Sequence, residues 1–383
     1  MAEEILKMVN ITKRFAGITA LDRVQFSCSK GEVHVLAGEN GAGKSTILKI
    51  LAGIHQADEG EIYFHGKKVV IRNPEQSQKL GIAMVFQELT LVGEMTVWEN
   101  IYLNQEPVTR LGRINRKEIK KRILDVMDRY GIHIDPDAPV GSLPVAEQQM
   151  AEILKILVRD PELIILDEPT SALAKKEVEQ LYQIIHNLIA DGKTIIFISH
   201  RLEELFELGD RITVFKDGCY IGTRNMNEIN EDDLIRMMVG RSLNHVFPPP
   251  VCEVDDSQVI FEVKNLADAN HKLNQVSFQV HKGEILGVAG LQGHGQTELL
   301  NAVSGLYPLS GGSIIVNGKQ VGIKNAGQAI ANGIALVPSD RKNQGLMLEL
   351  SNRHNLAISS MKKRMKGCFI DKKAEQDRKS TRL

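Results

Sequence analysis

The fold of this chain is decided by the stretch Gly38-Glu39-Asn40-Gly41-Ala42-Gly43-Lys44-Ser45-Thr46. It follows the apolar run 33–37, and the apolar pattern of 47–51 behind it indicates a helix. A strand, a glycine-rich turn and a helix with the spacing G-x-x-x-x-G-K-S form a P-loop. The backbone N–H groups of such a loop surround phosphate oxygens, and the helix N-terminus adds positive potential. The stretch therefore predicts a nucleoside triphosphate site in an α/β fold.

Two side chains of the P-loop carry the expected chemistry. Lys44 can reach the β- and γ-phosphates, and the hydroxyl of Ser45 can bind Mg²⁺. The alternative is a glycine-rich turn that only resembles the pattern, but the strand before it and the helix after it argue against this.

Composition limits the remaining possibilities. The chain has 383 residues, which favours two or three domains, and its net charge of −1 gives no sign of nucleic-acid binding. No apolar run approaches the roughly 18 residues of a membrane span. The acidic N-terminus lacks the pattern of a signal peptide. The four cysteines are far apart, which fits a reducing cytoplasmic compartment.

The chain contains an internal repeat. Gly31-Glu32 recurs as Gly283-Glu284, an offset of 252 residues, and the P-loop glycines recur at the same offset. A long run of matches without gaps indicates two copies of one domain. We expect a first domain over 1–247, a linker over 248–258 containing a proline triplet, and a second domain over 259–383.

The second copy has lost part of the chemistry. Lys44 is replaced by Gln296 and Ser45 by Thr297, so the second loop keeps a hydroxyl but lacks the cation that neutralises a γ-phosphate. A decayed structural copy and a regulatory nucleotide site are both compatible with this pattern.

Two acids follow an apolar run in the first copy. Asp167 and Glu168 end the stretch 163–168, which has the continuous apolar pattern of a buried parallel strand. Ligands of open α/β sheets bind at the carboxyl ends of strands. We therefore expect Asp167 to hold Mg²⁺, directly or through water, and Glu168 to accept a proton from the attacking water or to orient it. A pair of solvated acids after a strand is the alternative.

Three further residues are candidates by position. Gln87 follows the apolar run 83–86, where it can coordinate Mg²⁺ and sense the γ-phosphate, and His200 follows the run 195–198. Phe15 lies in the segment 12–17, which has the pattern of a polar turn, and an exposed ring there can stack on adenine. For each, an ordinary structural role is the alternative, including a core position for Phe15.

The order of these motifs resembles the nucleotide-binding subunits of ABC transporters over essentially the whole chain. In that resemblance 38–46 is the Walker A loop, Gln87 the Q-loop, 163–168 the Walker B strand and His200 the switch histidine. It implies an ABC ATPase cassette with a mixed sheet and a helical subdomain, followed by a partial second copy.

The tandem arrangement is similar to bacterial monosaccharide importer ATPases. The resemblance implies ATP and Mg²⁺ as cofactors, and hydrolysis that drives sugar import. It also implies integral-membrane permease subunits as partners, an external sugar-binding protein acting indirectly, possible self-association, and a place at the cytoplasmic face of the bacterial inner membrane. A role with nucleic acid is not implied.

Two departures from the family pattern stand out. Where the signature LSGGQ is expected, Leu143 is followed by Pro-Val-Ala-Glu, and Ala174 takes the place of the D-loop aspartate. The second copy also stops soon after its Q-loop region, so we expect the chain to be a fragment of a subunit of roughly 500 residues, the usual size in the family that the tandem arrangement resembles.

Two other interpretations remain open at this point. One is a non-transport tandem ABC protein, such as a ribosome-associated translation factor, although the short proline-rich linker and degraded second site argue against it. The other is an inactive fragment that binds ATP without hydrolysing it.

Overall fold

The structure is a computed structural model that describes residues 3–86, 89–109, 112–171, 173–239, 255–290, 293–339, 344–358, 365–366 and 369–370. The chain divides into two compact units, Met1–Pro249 and Pro250–Leu383.

The first unit contains two sheets. The strands are β1 Glu4–Phe15, β2 Ile18–Ser29, β3 Val33–Ala37, β4 Glu59–Phe64, β5 Lys67–Val69, β6 Ile82–Val85, β7 Leu163–Asp167, β8 Thr194–Ile198, β9 Arg211–Lys216 and β10 Cys219–Asn225. One sheet is antiparallel with the order β2-β1-β4-β5. The other has the order β10-β9-β3-β8-β7-β6 and is parallel except for the β9–β10 pair.

Helices cover one face of the six-stranded sheet, and the helix that follows the P-loop packs on the other face. The helices are α1 Lys44–Leu51, α2 Pro74–Lys79, α3 Val97–Tyr102, α4 Arg116–Tyr130, α5 Val145–Leu157, α6 Lys175–Ala190, α7 Leu202–Leu208 and α8 Glu231–Val239, with short 3-10 helices at Val140–Ser142 and Met226–Glu228. Helix α4 begins at the Asn115 cap and ends at Gly131, whose φ of 67° is the left-handed conformation that stops a helix.

The central strands are apolar throughout because both faces of their sheet are covered. In β7, Ile164 and Leu166 pack into one buried cluster, while Leu163 and Ile165 pack into the other. The first cluster contains residues of α3 to α6, and the second contains α1 and the antiparallel sheet. The alternating directions of successive side chains explain why a continuous apolar run, and not an alternating one, marks this strand.

The second unit repeats the antiparallel sheet. Its elements are β11 Asp255–Ala267, β12 Val276–Lys282, α9 Gln296–Val303, β13 Gly311–Val316, β14 Lys319–Val321, α10 Ala326–Ala331, α11 Asn352–Ile358, β15 Met365–Lys366 and β16 Phe369–Ile370. The order β12-β11-β13-β14 matches that of β2-β1-β4-β5. Equivalent caps also match, since Asn73 and Asn325 each accept from the backbone N–H three residues later at 3.0 Å.

The second unit differs from the first in its central strands. Strand β3 lies between β8 and β9, but 284–290, its counterpart in the repeat, pairs with no strand among the described residues. Ile285 in this segment is 98% exposed. A parallel strand depends on neighbours for its hydrogen bonds, so an apolar pattern alone does not make one here.

Within the described ranges, no helix combines the length and the apolar character needed to cross a bilayer.

Candidate functional site

The P-loop connects β3 to α1, and two of its glycines are required by the space around them. Gly43 caps α1 with φ 98°, and a Cβ there would lie 2.8 Å from the carbonyl oxygen of Ala20. A Cβ on Gly38 would lie 2.2 Å from the carbonyl oxygen of Phe215. The loop is therefore packed tightly against the start of β2 and the end of β9, and this packing fixes the direction of its N–H groups.

Lys44 lies inside this loop. Its Nζ donates to the carbonyl oxygens of Gly38 at 2.7 Å and Glu39 at 3.0 Å. Burial lowers the pKa of the Lys44 ammonium from its ordinary value, and the charges of Glu168 and Asp167 act in the opposite direction. The loop therefore encloses the Lys44 ammonium, and this positive charge would stabilise an anionic group bound in the loop.

Asp167 is the last residue of β7 and is buried. Burial, followed by the charge of Glu168, raises the pKa of its carboxyl, while Lys44 and a hydrogen bond from the Ser45 hydroxyl lower it. The structure therefore brings Lys44, Ser45 and Asp167 together. A hydroxyl and a carboxylate side by side are oxygen ligands of the kind that Mg²⁺ binds.

Glu168 and His200 also meet. Strands β7 and β8 are neighbours, and Asp167 pairs with Ile198, so the residues that follow both strands lie at the same edge. The Oε2 of Glu168 lies 3.6 Å from the Nδ1 of His200, and their side chains are 19% and 61% exposed. Glu168 has φ 50°, a conformation that is uncommon for a residue with a side chain and often occurs at functional sites.

Two features singled out from the sequence lie outside the described residues. These are Gln87, which comes shortly after β6, and the proline triplet 248–250 of the expected linker. The role of Gln87 stays a prediction.

Phe15 is placed differently from the expectation of a polar turn. It is the last residue of β1 and pairs with Ile18 across the turn that joins β1 to β2. The turn is shorter than the polar composition of 12–17 indicated, because the residues from Lys13 to Phe15 pair with β2 and are extended. The ring is 38% exposed, so it is not a core residue, and it makes a T-shaped contact with His55.

Sequence analysis missed Glu204 of α7, which joins the loops after β7 and β8. Its Oε2 accepts from Thr170 Oγ1 at 2.8 Å and from Ser199 Oγ at 2.6 Å, and the residue is buried. These partners lie two residues after Glu168 and directly before His200. The sequence did contain a signal for this role. Glu204 lies four residues before the apolar Leu208, so both side chains lie on the same face of the helix, which is the buried one.

A second cluster of titratable groups surrounds β3. Cys28, Glu32 and His34 are buried, and their ligand atoms lie within 4.8 Å of one another. Glu32 accepts from His34 Nδ1 at 2.8 Å and contacts Arg211 at 3.3 Å. Burial raises the pKa of the Cys28 thiol well above its ordinary value, which disfavours the thiolate that a metal needs. The arrangement is that of a buried hydrogen-bond network.

The second copy retains the shape of the P-loop. Gly295 caps α9 with φ 99°, close to the 98° of Gly43. A Cβ on Gly290 would lie 2.2 Å from Nε2 of Gln296, so this amide folds back over the loop as Lys44 does in the first copy. The amide supplies hydrogen bonds without a positive charge.

Comparisons with known proteins agree with this geometry. The family described as ABC transporter matches residues 21–171 and 273–382. A protein of Burkholderia cenocepacia named for ribose/galactose/methyl galactoside import and ATP binding is 43% identical over 364 residues, covering 95% of this chain and 69% of the relative. A similarly named protein of Agrobacterium fabrum is 45% identical over 94% of this chain and 69% of its own length.

A ribose import ATP-binding protein of Rubrobacter xylanophilus is 41% identical over 95% of this chain and 72% of its own length. Among solved structures, a nucleotide-free ATP-binding cassette from an ABC transporter aligns with a TM-score of 0.53 and 27% identity, covering 62% of this chain and 96% of that one. A post-hydrolysis cassette bound to ADP and phosphate aligns with a TM-score of 0.50 and 28% identity, over 58% and 98% of the two chains. The chain therefore belongs to the ABC transporter family, among its tandem ATP-binding cassette proteins.

Proposed function

We propose that this chain is the ATP-binding and ATP-hydrolysing subunit that energises import of a monosaccharide through an ABC transporter. The observation that carries the proposal is the meeting of Lys44, Ser45 and Asp167 around one P-loop, with Glu168 beside it. The relatives named for ribose and galactose import support a monosaccharide as the transported substrate, and they favour transport over a role in translation.

The proposed roles follow from the chemistry of each group. The backbone of 38–46 and the Lys44 ammonium would hold the phosphates, and the exposed ring of Phe15 would stack on adenine. Glu168 would accept a proton from the attacking water, and His200, 3.6 Å away, would hold this carboxylate or the γ-phosphate in place.

Magnesium fits the residues present. Ser45 and Asp167 are hard oxygen ligands already in contact, and the raised pKa of Asp167 marks a buried carboxylate that a cation would stabilise. Gln87 is the third proposed ligand. When bound, the ion would neutralise charge on the β- and γ-phosphates.

The proposed partners are integral-membrane permease subunits, with a sugar-binding protein acting through them on the outer side of the membrane. The chain would then lie at the cytoplasmic face of the membrane through its contact with the permease. Self-association is a further part of the proposal, since two cassettes close around ATP in the family that this chain belongs to.

One observation favours a second candidate, a chain that binds ATP without hydrolysing it. Pro144 precedes α5 where the family signature has its serine, and no glycine occurs in the first turn of this helix. Fewer groups are then available to contact phosphate across a cassette dimer.

ATP binding and Mg²⁺-dependent hydrolysis by the full chain, beside Lys44→Ala, test the proposal. Turnover that Lys44→Ala abolishes supports the main proposal. Binding without turnover supports the second candidate, and absence of ATP binding contradicts both.

A further inference from the structure

We infer that His55 is a positioning residue for the base of the nucleotide, because it fixes the ring of Phe15 to the helix that begins at the P-loop. This inference rests on the proposed function, in which Phe15 stacks on adenine, and it adds a specificity determinant to that site.

The rings of Phe15 and His55 are in direct contact. The centroids of Phe15 and His55 lie 5.1 Å apart with an interplanar angle of 67°. This T-shaped geometry is one of the favourable arrangements of aromatic pairs. His55 is half-buried, while 38% of Phe15 stays exposed for another partner.

The backbone of His55 is attached to α1. The N–H of His55 donates to the carbonyl oxygen of Lys49 at 3.1 Å, and that of Ile54 donates to the same oxygen at 2.9 Å. Lys49 lies in α1, whose first residue is Lys44. The backbone that carries the imidazole is therefore attached to the same short helix that begins at the P-loop.

Asp58 makes a second connection between the end of β1 and the segment that follows α1. Asp58 Oδ1 accepts from Lys13 Nζ at 2.8 Å, and Asp58 Oδ2 accepts from the backbone N–H of Arg14 at 2.6 Å. The ammonium of Lys13 lies 5.3 Å from the centroid of the Phe15 ring. The end of β1 is thus held against the segment 55–58 by the two residues before Phe15 as well as by the ring of Phe15 itself.

These contacts have a consequence for ligand binding. A bound nucleotide must reach from the P-loop to Phe15. The P-loop leads directly into α1, and the ring of Phe15 is connected to α1 through His55. Because the ring is already held before the base arrives, less conformational freedom is lost on binding. Removal of the imidazole should therefore weaken recognition of the base and leave recognition of the phosphates unchanged.

The test measures affinity of the full chain for two ligands, Mg²⁺-ATP and Mg²⁺-tripolyphosphate, by titration calorimetry. His55→Ala should raise the Kd for ATP about twofold to tenfold, the range expected for one aromatic pair, and leave the Kd for tripolyphosphate unchanged. His55→Tyr, which restores a ring, should return the affinity for ATP towards the original value.

A double-mutant cycle with Phe15→Ala shows whether His55 acts through Phe15. If it does, His55→Ala has no further effect on the Kd for ATP once Phe15 is replaced. His65→Asn is the matched control, since His65 makes a similar contact with Phe64 at 4.7 Å and 75°, on a turn between β4 and β5. It should change neither affinity.

Three results would overturn the inference, and each has a distinct cause. An unchanged ATP affinity in His55→Ala removes its role, and equal weakening for both ligands means that it only stabilises α1. An effect that persists in the Phe15→Ala background means that it acts elsewhere. If the unsubstituted chain binds neither ATP nor tripolyphosphate, the proposed nucleotide binding itself is overturned.

Discussion

At the scale of single residues, the site depends on backbone conformations that side chains ordinarily avoid. Gly43 at φ 98° turns the chain into α1, and Glu168 at φ 50° turns it out of β7. The first position is open to glycine alone because neighbouring atoms crowd it, while the second carries a side chain that the proposed chemistry uses.

Glu168→Gln should bind ATP with little change in Kd and lower the rate of hydrolysis by roughly 10²- to 10⁴-fold, the usual contribution of a general base. The amide keeps the size of the side chain but cannot accept the proton. Calorimetry for Kd and phosphate release for turnover measure the two effects. Normal turnover would remove Glu168 from this role.

Gly43→Ala should lower the free energy of unfolding by more than about 2 kcal/mol and weaken ATP binding, because a Cβ meets the Ala20 carbonyl oxygen at 2.8 Å. Gly31→Ala is the control, since Gly31 has φ 75° and nothing within 4 Å of a Cβ. It should cost only the conformational strain, about 1 kcal/mol. Equal losses in urea unfolding would show that crowding at Gly43 is unimportant.

Asp167→Asn should raise the free energy of unfolding of the nucleotide-free chain near neutral pH. Burial raises the pKa of Asp167 above the ordinary 3.8, so the folded state favours the protonated carboxyl. Stability is therefore lost as pH rises through the folded pKa. The advantage of the neutral amide should disappear below about pH 4, where the carboxyl is protonated in both the folded and the unfolded state. An advantage that does not vary with pH would contradict this explanation.

At the scale of elements, strand neighbours decide which loops meet. Adjacent β7 and β8 place Glu168 beside His200, and α7 then joins the same two loops through the buried Glu204. A carboxylate in this place orders both loops with one side chain, which is the requirement for a preorganised site.

Glu204→Ala should destabilise the chain by about 2–4 kcal/mol, because the hydroxyls of Thr170 and Ser199 lose a buried acceptor. Glu204→Gln keeps an acceptor oxygen and should cost less. Glu203→Ala, an exposed acid on the same helix, is the control and should change the free energy of unfolding by less than about 0.5 kcal/mol. Urea unfolding compares the three, and a loss in Glu204→Ala no larger than in the control would be inconsistent with the bridge.

At the scale of the whole molecule, the two units differ in their apolar cores. The first has both faces of a six-stranded sheet covered, whereas the second buries a smaller cluster around β11, α9 and β13. In the second unit Ile285 is 98% and Val337 91% exposed. Stability depends mainly on apolar area buried, so the second unit should be the weaker one.

The full chain should therefore unfold in two thermal transitions, with the second unit unfolding first. A chain of residues 1–249 should reproduce the higher transition within a few degrees, because its core residues come from the first unit alone. Calorimetry of both chains measures this. A single shared transition would show that the units stabilise each other.

Sequence patterns predicted a large part of this fold. Apolar residues at three- and four-residue spacing predict helices over 116–129 and 145–158, which occur as α4 and α5. Continuous apolar runs predict buried strands at 163–166 and 194–198, which occur in β7 and β8. These elements have strong local periodicity. The extended end of β1 was missed, because Lys13 to Phe15 are held extended by pairing with β2 and not by their own composition.

The sequence by itself determined the P-loop, the acids that end an apolar strand, the internal repeat and the family, because each depends on residue types at short, fixed spacing. Only the tertiary structure decided that Ser45 meets Asp167, that Glu168 meets His200, and that His55 contacts Phe15. These partners are separated by tens of residues or more along the chain. Their meeting depends on the order of strands in the sheets and on the burial of apolar faces between them, which no short stretch of sequence specifies.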